Sequence, residues 1–300
     1  MKISGNYRFS WSSFLLAGLM FGLIFGLMSC EEEIPFNPEA QEKRLVINSI
    51  QEEGDLFSVH LSESVPILFT NFGENVIVKD AELNLYGNGE FLETLAFTEN
   101  DLYQTDSTRV AQGITYRLEA SHPNYPEASA SFRLPAPPNI ILAELDDPID
   151  QVHYPIDLTI ADEPDVDNYY VLEIYTDGWV ADPRLLSFTT NDPYLLYGSD
   201  PDPAGETSFF GRAMWSDAGR DGTSIPLQLE VELPFGGGLW IYVEVKCIPR
   251  NYYLYLLTVR DQQNTGFDPF AQPGIIDNQV EGGIGLFTGY SKSRESWFIQ

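Results

Sequence analysis

This sequence concentrates two kinds of residue that can do chemistry: clustered carboxylates and loop-borne aromatic rings. Asp162-Glu163-Pro164-Asp165-Val166-Asp167-Asn168 puts several hard oxygen donors in one short stretch. Calcium takes about six to eight oxygens, so Asp162, Asp165 and Asp167 are candidate calcium ligands. The stretch lacks the glycine and closing glutamate of an EF-hand loop. Asp146, Asp147 and Asp150, Asp200 with Asp202, and Asp217 with Asp221 are smaller clusters of the same kind. The competing reading is that Asp and Pro make turns between strands, which needs no cofactor. Titration calorimetry with millimolar calcium separates the two. The rings are Trp179, Tyr194, Tyr197 and Trp215, in a stretch from Thr176 to Thr223 dense in Pro, Gly and Asp. Aromatic faces beside a few polar groups hold sugars and peptides, which makes these four candidate ligand-binding residues. They serve equally well as filling for a small core beneath long loops.

Catalytic signatures are missing. There is no G-x-S-x-G elbow, P-loop or H-E-x-x-H. His60, His122 and His153 are the three histidines, and none stands at metal-ligand spacing from another. A glycosidase needs two carboxylates across a groove, and 45 acidic residues supply too many pairs to single one out. No catalytic residue is assigned, and a noncatalytic protein is expected.

Cys30 carries the sharpest signal. Lys2 and Arg8 are the only charges before it, and Phe14 to Met28 is an unbroken run of apolar residues and glycine. That run suits the core of a signal peptide and falls short of the roughly 18 apolar residues of a membrane span. Leu27-Met28-Ser29-Cys30 then follows the order of a bacterial lipobox. In proteins with that motif the cysteine is diacylated, the peptide before it is removed and the new amine is acylated. Three acyl chains hold a protein firmly where one binds only marginally. Residues 1–29 are therefore expected to be a lipoprotein signal peptide, with an uncleaved anchor or ordinary secretion as alternatives. Glu31-Glu32-Glu33 disfavours contact with anionic headgroups and resembles the acidic export signals of surface-displayed Bacteroidota lipoproteins. A surface-facing position on the outer membrane is expected over a periplasm-facing one. The formal charge of −29 repels nucleic acid and bare anionic membrane, so membrane contact is expected through the lipid alone. Cys247 ends Ile241-Tyr-Val-Glu-Val-Lys-Cys247 on the apolar side of a period-two strand, where an inert buried thiol is expected.

The elements that must position these groups read as an all-β chain. Aromatic residues make up 13% of it, and short alternating runs recur with turn punctuation. An acidic tether over 30–42 precedes an immunoglobulin-like β-sandwich over 43–134. Within it Asn88-Gly89 between two alternating runs is a hairpin signal, and Gly113-Ile-Thr-Tyr116 resembles a tyrosine-corner strand. Pro135-Ala-Pro-Pro138 reads as a stiff linker. A larger C-terminal β-domain is expected over 139–300, loop-rich between Thr176 and Thr223, with its surest strand at Leu239 to Cys247. It bears one helix near 250–263, where Pro249 suits the first turn and Tyr252, Tyr255, Leu256 and Val259 recur at helical spacing.

Taken in order, several weak pieces combine. They are the lipobox cysteine and acidic tether, Leu45-Val46-Ile47-Asn48, Asp80-Ala81-Glu-Leu-Asn-Leu and Gly113-Ile-Thr-Tyr116. After the Pro-rich junction come Asn168-Tyr169-Tyr170, Ser216-Asp217 before Asp221-Gly222, Asp268-Pro269-Phe270 and Gly283-Ile-Gly285-Leu-Phe287. In this order they resemble the Bacteroidota lipoprotein family known as domain of unknown function 4249. Members commonly carry Asn where Gln279 stands, and here Asn278 is its neighbour. The resemblance implies no reaction and no catalytic residue. It implies a place near TonB-dependent outer-membrane transporters, because members are often encoded beside them. The expected role is a noncatalytic ligand-binding or accessory subunit of such a transporter. An envelope hydrolase acting on glycans or peptides, and a structural or adhesive surface protein, are the alternatives.

Overall fold

Alternation of apolar side chains decides most strands, and the observed architecture is all-β with one helix. The computed structural model describes residues 42–65, 76–177, 184–196, 198, 205–233, 238–265 and 276–300. The leader with Cys30, and Trp179 and Tyr197, lie outside these residues. The first half holds β1 (Leu45–Glu52), β2 (Leu56–Glu63), β3 (Glu82–Gly87), β4 (Glu90–Phe97), β5 (Tyr103–Arg109), β6 (Thr115–His122) and β7 (Tyr125–Arg133). Then follow β8 (Asn139–Leu145), β9 (His153–Ala161), β10 (Tyr169–Thr176), β11 (Arg184–Leu185), β12 (Ser187–Thr190), β13 (Thr207–Phe210) and β14 (Arg212–Ser216). β15 (Ser224–Glu232), β16 (Leu239–Ile248), α1 (Arg250–Thr265) and β17 (Ile284–Ile299) complete the chain.

Twelve strands form one sheet in the order β11-β10-β16-β17-β1-β2-β5-β4-β3-β6-β7, with β14 also paired to β10. A second sheet has the order β13-β12-β15-β9-β8. Two cores result. One gathers Ile47, Phe57, Val59, Leu83, Leu118 and Phe132 from the first seven strands, together with Phe287 of β17. The other lies between the five-stranded sheet and the β10–β16 face, where Ile156 and Leu227 meet Leu172, Ile241 and Val243.

Local chemistry explains the turns. Asn88 and Gly89 adopt φ of 51° and 87°, the two positive values a type I′ hairpin requires, and they join β3 to β4. The Tyr116 hydroxyl accepts from Ala111 N at 2.9 Å and donates to Arg109 O at 3.4 Å, so the ring is pinned to the chain upstream of it. The carbonyl of Pro249 receives the backbone N–H groups of Tyr252 and Tyr253 and starts α1. The stretch expected to be loop holds β11 to β14 as well. Strands of two to five residues are too short for alternation to announce them.

β17 joins the two halves of the large sheet. Its first part runs parallel to β1, pairing Ile47 with Gly285 and Glu52 with Tyr290. Its second part runs antiparallel to β16, from Ser291 opposite Cys247 to Ile299 opposite Leu239. Ser291 Oγ and Ser293 Oγ donate to the carbonyls of Pro135 and Pro138, which fastens the Pro-rich junction to this strand. Asn278 shapes the approach to β17. Its side-chain amide donates to the carbonyls of Val280 and Gly283, and its Oδ1 accepts from Gly285 N at 2.9 Å.

Candidate functional site

The outward face of β10, β16 and β17 gathers rings and charges through strand register. Tyr175 lies opposite Tyr242, and Trp240 opposite Phe298. Pleating puts Trp240, Tyr242, Glu244 and Lys246 on one side of β16, away from the core-facing Ile241, Val243 and Val245. Tyr175 stacks on Tyr242 with centroids 5.1 Å apart, Tyr242 on Trp240 at 6.5 Å, and Trp240 meets Phe298 at 5.5 Å with a 55° tilt. Trp240 is 40% exposed and Phe298 50%.

Beside the rings the same face carries alternating charges. Glu173 accepts from Arg212 and, at 2.6 Å, from Lys246 Nζ. Lys246 lies 3.4 Å from Glu244, whose other oxygen is 3.2 Å from Lys292, and Lys292 reaches Glu52 at 2.8 Å. The pairs cross β14, β10, β16, β17 and β1. Glu244 is the deepest of these side chains at 5% exposed, and Arg212 the most open at 50%. Burial alone would raise the Glu173 pKa, but Lys246 and then Arg212 more than offset it and hold the group ionised. That suits an ion pair and is the opposite of what a general acid needs. Tyr290 is pushed well up by burial and by donating to Glu52 at 2.9 Å, with the Lys246 ammonium over its ring at 4.7 Å. Arg294 differs from the other cations. Its exposed guanidinium lies 5.2 Å over the Tyr242 ring and donates to the Tyr175 hydroxyl at 3.3 Å. It enters none of the ion pairs among the described residues, whereas Arg212, Lys246 and Lys292 all do.

A second constellation is acidic. Asp162, Asp217 and Asp221 bring ligand oxygens within 4.8 Å of one another. Their oxygens also serve internal hydrogen bonds. Asp162 accepts from the Tyr170 hydroxyl at 2.7 Å and Gly222 N at 2.9 Å, Asp217 from Asn168 N at 2.7 Å, and Asp221 from Asp165 N at 3.0 Å. The cluster thus ties the loop over 162–168 to the turn over 217–222. Burial raises the Asp217 pKa, and the charges of Asp162, Asp167 and Asp221 raise it further against the Asn168 N–H. A carboxyl whose folded pKa is raised costs the fold stability at neutral pH, and the cost vanishes as pH falls through that pKa. Asp217→Asn retains an acceptor for Asn168 N and removes the charge. In chelator-containing buffer it is expected to raise the thermal midpoint at pH 7 by about 1–3 °C, a gain that fades as pH falls through the raised folded pKa and is gone below about pH 4. An unchanged or lowered midpoint at pH 7 refutes the repulsion. Beneath the cluster burial pushes the Cys247 thiol up to about 12, which makes it the inert thiol that the strand pattern predicts.

The residues singled out in the sequence are placed differently from one another. Asp162 is buried, but Asp165 and Asp167 point to solvent, so the cluster takes its other members from a turn some 55 residues on. The loop alone does not gather Asp162, Asp165 and Asp167 as a ligand set, because successive turn residues diverge. Trp215 is fully buried and stacked on Tyr170 at 5.2 Å. Pairing of β14 with β10 turns its indole into the core, so it offers no open face to a ligand. Tyr194 is 47% exposed with the Arg220 guanidinium 4.2 Å over its ring. Trp179 and Tyr197 lie outside the described residues. The ring ladder and Arg294 were missed. The available signal was alternation within β16 and β17, but only register shows that the two strands bring their rings together.

No helix among the described residues is long and apolar enough to cross a membrane. A family model described as Domain of unknown function (DUF4249) matches residues 31–296. No curated protein matches the chain. Among solved structures, a Corynebacterium diphtheriae protein named as membrane anchored is similar at 10% identity, over 69% of this chain and 54% of that one, with a TM-score of 0.21. The chain spans about half the length of that protein, and so low a score carries no argument about fold.

Proposed function

The chain belongs to the family described as Domain of unknown function (DUF4249), and on that premise we propose that it is a lipid-anchored Bacteroidota outer-membrane protein that faces the cell surface. Its role is that of a noncatalytic ligand-binding or accessory subunit of a TonB-dependent transporter. The observation that carries the anchor is Cys30, which closes the lipobox order and immediately precedes the matched residues 31–296. The exposed rings of β16 and β17 support a binding role, and Glu173, held ionised by two cations, supports pairing over proton transfer.

Two measurements test the reading together. Cys30→Ala is expected to stay unprocessed and to take up no labelled palmitate; incorporation in the variant removes the anchor. The tagged, lipidated protein, drawn from detergent-solubilised outer membranes, is expected to bring a TonB-dependent transporter with it in stoichiometric amount. Recovery of the lipoprotein alone, under conditions that preserve known transporter complexes, defeats the accessory role.

A further inference from the structure

We propose that the ring ladder of β16 and β17 binds an oligosaccharide bearing a carboxylate. Arg294, held over Tyr242, pairs with the carboxylate, and the exposed rings of Trp240 and Phe298 pack against the sugar rings. This rests on the ligand-binding reading above and names the ligand class.

The charge pattern points to a carboxylate. The chain has 16 basic against 45 acidic residues, yet four cations on this face balance Glu52, Glu173, Glu244 and Asp177, the last accepting from Trp240 N at 3.0 Å. Glu52, Glu173 and Glu244 are in direct ion pairs with Arg212, Lys246 and Lys292, whereas Arg294, opposite Glu244 in register, reaches it only through the Tyr175 hydroxyl and makes no direct ion pair. A planar guanidinium held over an aromatic ring presents its remaining N–H groups as a fork that fits a carboxylate. The surroundings point to sugar. Trp240 and Phe298 expose large ring areas beside tyrosine hydroxyls, the mixture of apolar face and polar tip that C–H faces and hydroxyls of a sugar require.

Other occupants fit less well. An extended peptide adds to a sheet edge through free backbone groups, but β16 is hydrogen-bonded on both sides, by β10 and by β17. A second copy brings another charge of −29. A nucleic acid carries a charge on every unit and meets the same repulsion. A largely neutral oligosaccharide with one uronic acid meets chiefly the local cation.

Binding is read with the full-length chain in detergent, by calorimetry and tryptophan fluorescence, against two defined probes. One is an aldotetraouronic acid, a glucuronic acid carried on xylotriose; the other is neutral xylotetraose. The wild type is expected to bind the acidic probe about tenfold more tightly than the neutral one. Arg294→Gln should bind both alike at the neutral level with a thermal midpoint lowered by no more than about 2 °C, since the side chain is exposed and outside the direct ion pairs and its contacts are one long hydrogen bond and one ring. Trp240→Ala should weaken both by about tenfold. A wild type that binds neither probe or both equally, or an Arg294→Gln protein that keeps the preference, overturns the inference. Transporter recovery is read separately, so either idea can fail while the other stands.

Discussion

Gly285→Ala is expected to destabilise the fold by at least about 3 kcal/mol, a large share of the roughly 5–15 kcal/mol that holds a domain together. Two causes act at once. Gly285 has φ of 118°, a region L-residues rarely adopt, and a Cβ there would sit 2.0 Å from the carbonyl oxygen of Ile47. That oxygen belongs to the backbone of β1, so the clash is relieved only by moving one strand off the other. Phe287, two residues on, fills the first core against Phe57 and Phe132, so displacing β17 also loosens that packing. Gly54→Ala is the matched control, with φ of 88° and nothing within 4 Å of the added carbon. It should cost only about 1 kcal/mol, the backbone share alone. Urea midpoints of the two variants decide the matter. Equal losses would mean that the close approach of β17 to β1 contributes nothing.

Lys246→Met is expected to cost about 2–4 kcal/mol at pH 7, because it leaves two buried carboxylates short of a cation. Glu173 loses the 2.6 Å bond that, with the Lys246 charge, most offsets its burial, and Glu244, 5% exposed, keeps Lys292 as its remaining direct ion-pair partner. The pH dependence has a definite sign. The folded pKa of Glu173 is lowered, so its stabilising contribution is present above the unfolded pKa and is lost as pH falls through the folded one. The gap between variant and wild type should therefore be full at pH 7 and close below about pH 4. Lys79→Met removes the surface pair with Asp101, whose side chains are 58% and 47% exposed, and should change the midpoint by well under about 1 kcal/mol. A Lys246→Met protein as stable as the Lys79→Met one at pH 7 would show the ionic ladder to be incidental. Restoring stability by adding Glu244→Leu to Lys246→Met would locate the penalty in the stranded carboxylate.

Much of the fold was legible because it rests on near neighbours in the chain. The all-β class, the Asn88-Gly89 hairpin, the β16 strand and α1 each follow from a period, a φ preference or a proline within a dozen residues. The buried side of Cys247 follows from alternation in the same way. The candidate site was much less legible. Trp215 and Trp240 look alike as tryptophans in an aromatic-rich half, yet one is fully buried and the other 40% exposed. Asp162, Asp165 and Asp167 look alike as loop carboxylates, yet only Asp162 turns inward to meet Asp217 and Asp221. The difference lies in which strand pairs with which, and in what register.

The longer alternating strands, the Asn88-Gly89 turn, the strong negative charge and the lipobox order ending at Cys30 can be read from the chain alone, because each depends on covalent neighbours or on composition; β11 to β14 are too short to be read so. Packing of distant segments sets β17 parallel to β1, brings Phe298 beside Trp240, and leaves Arg294 outside the direct ion pairs that hold its neighbouring cations. Those facts arise from pairings between segments up to 238 residues apart. Alternation says which way a side chain points from its own strand. Only the packed sheet says what stands opposite it.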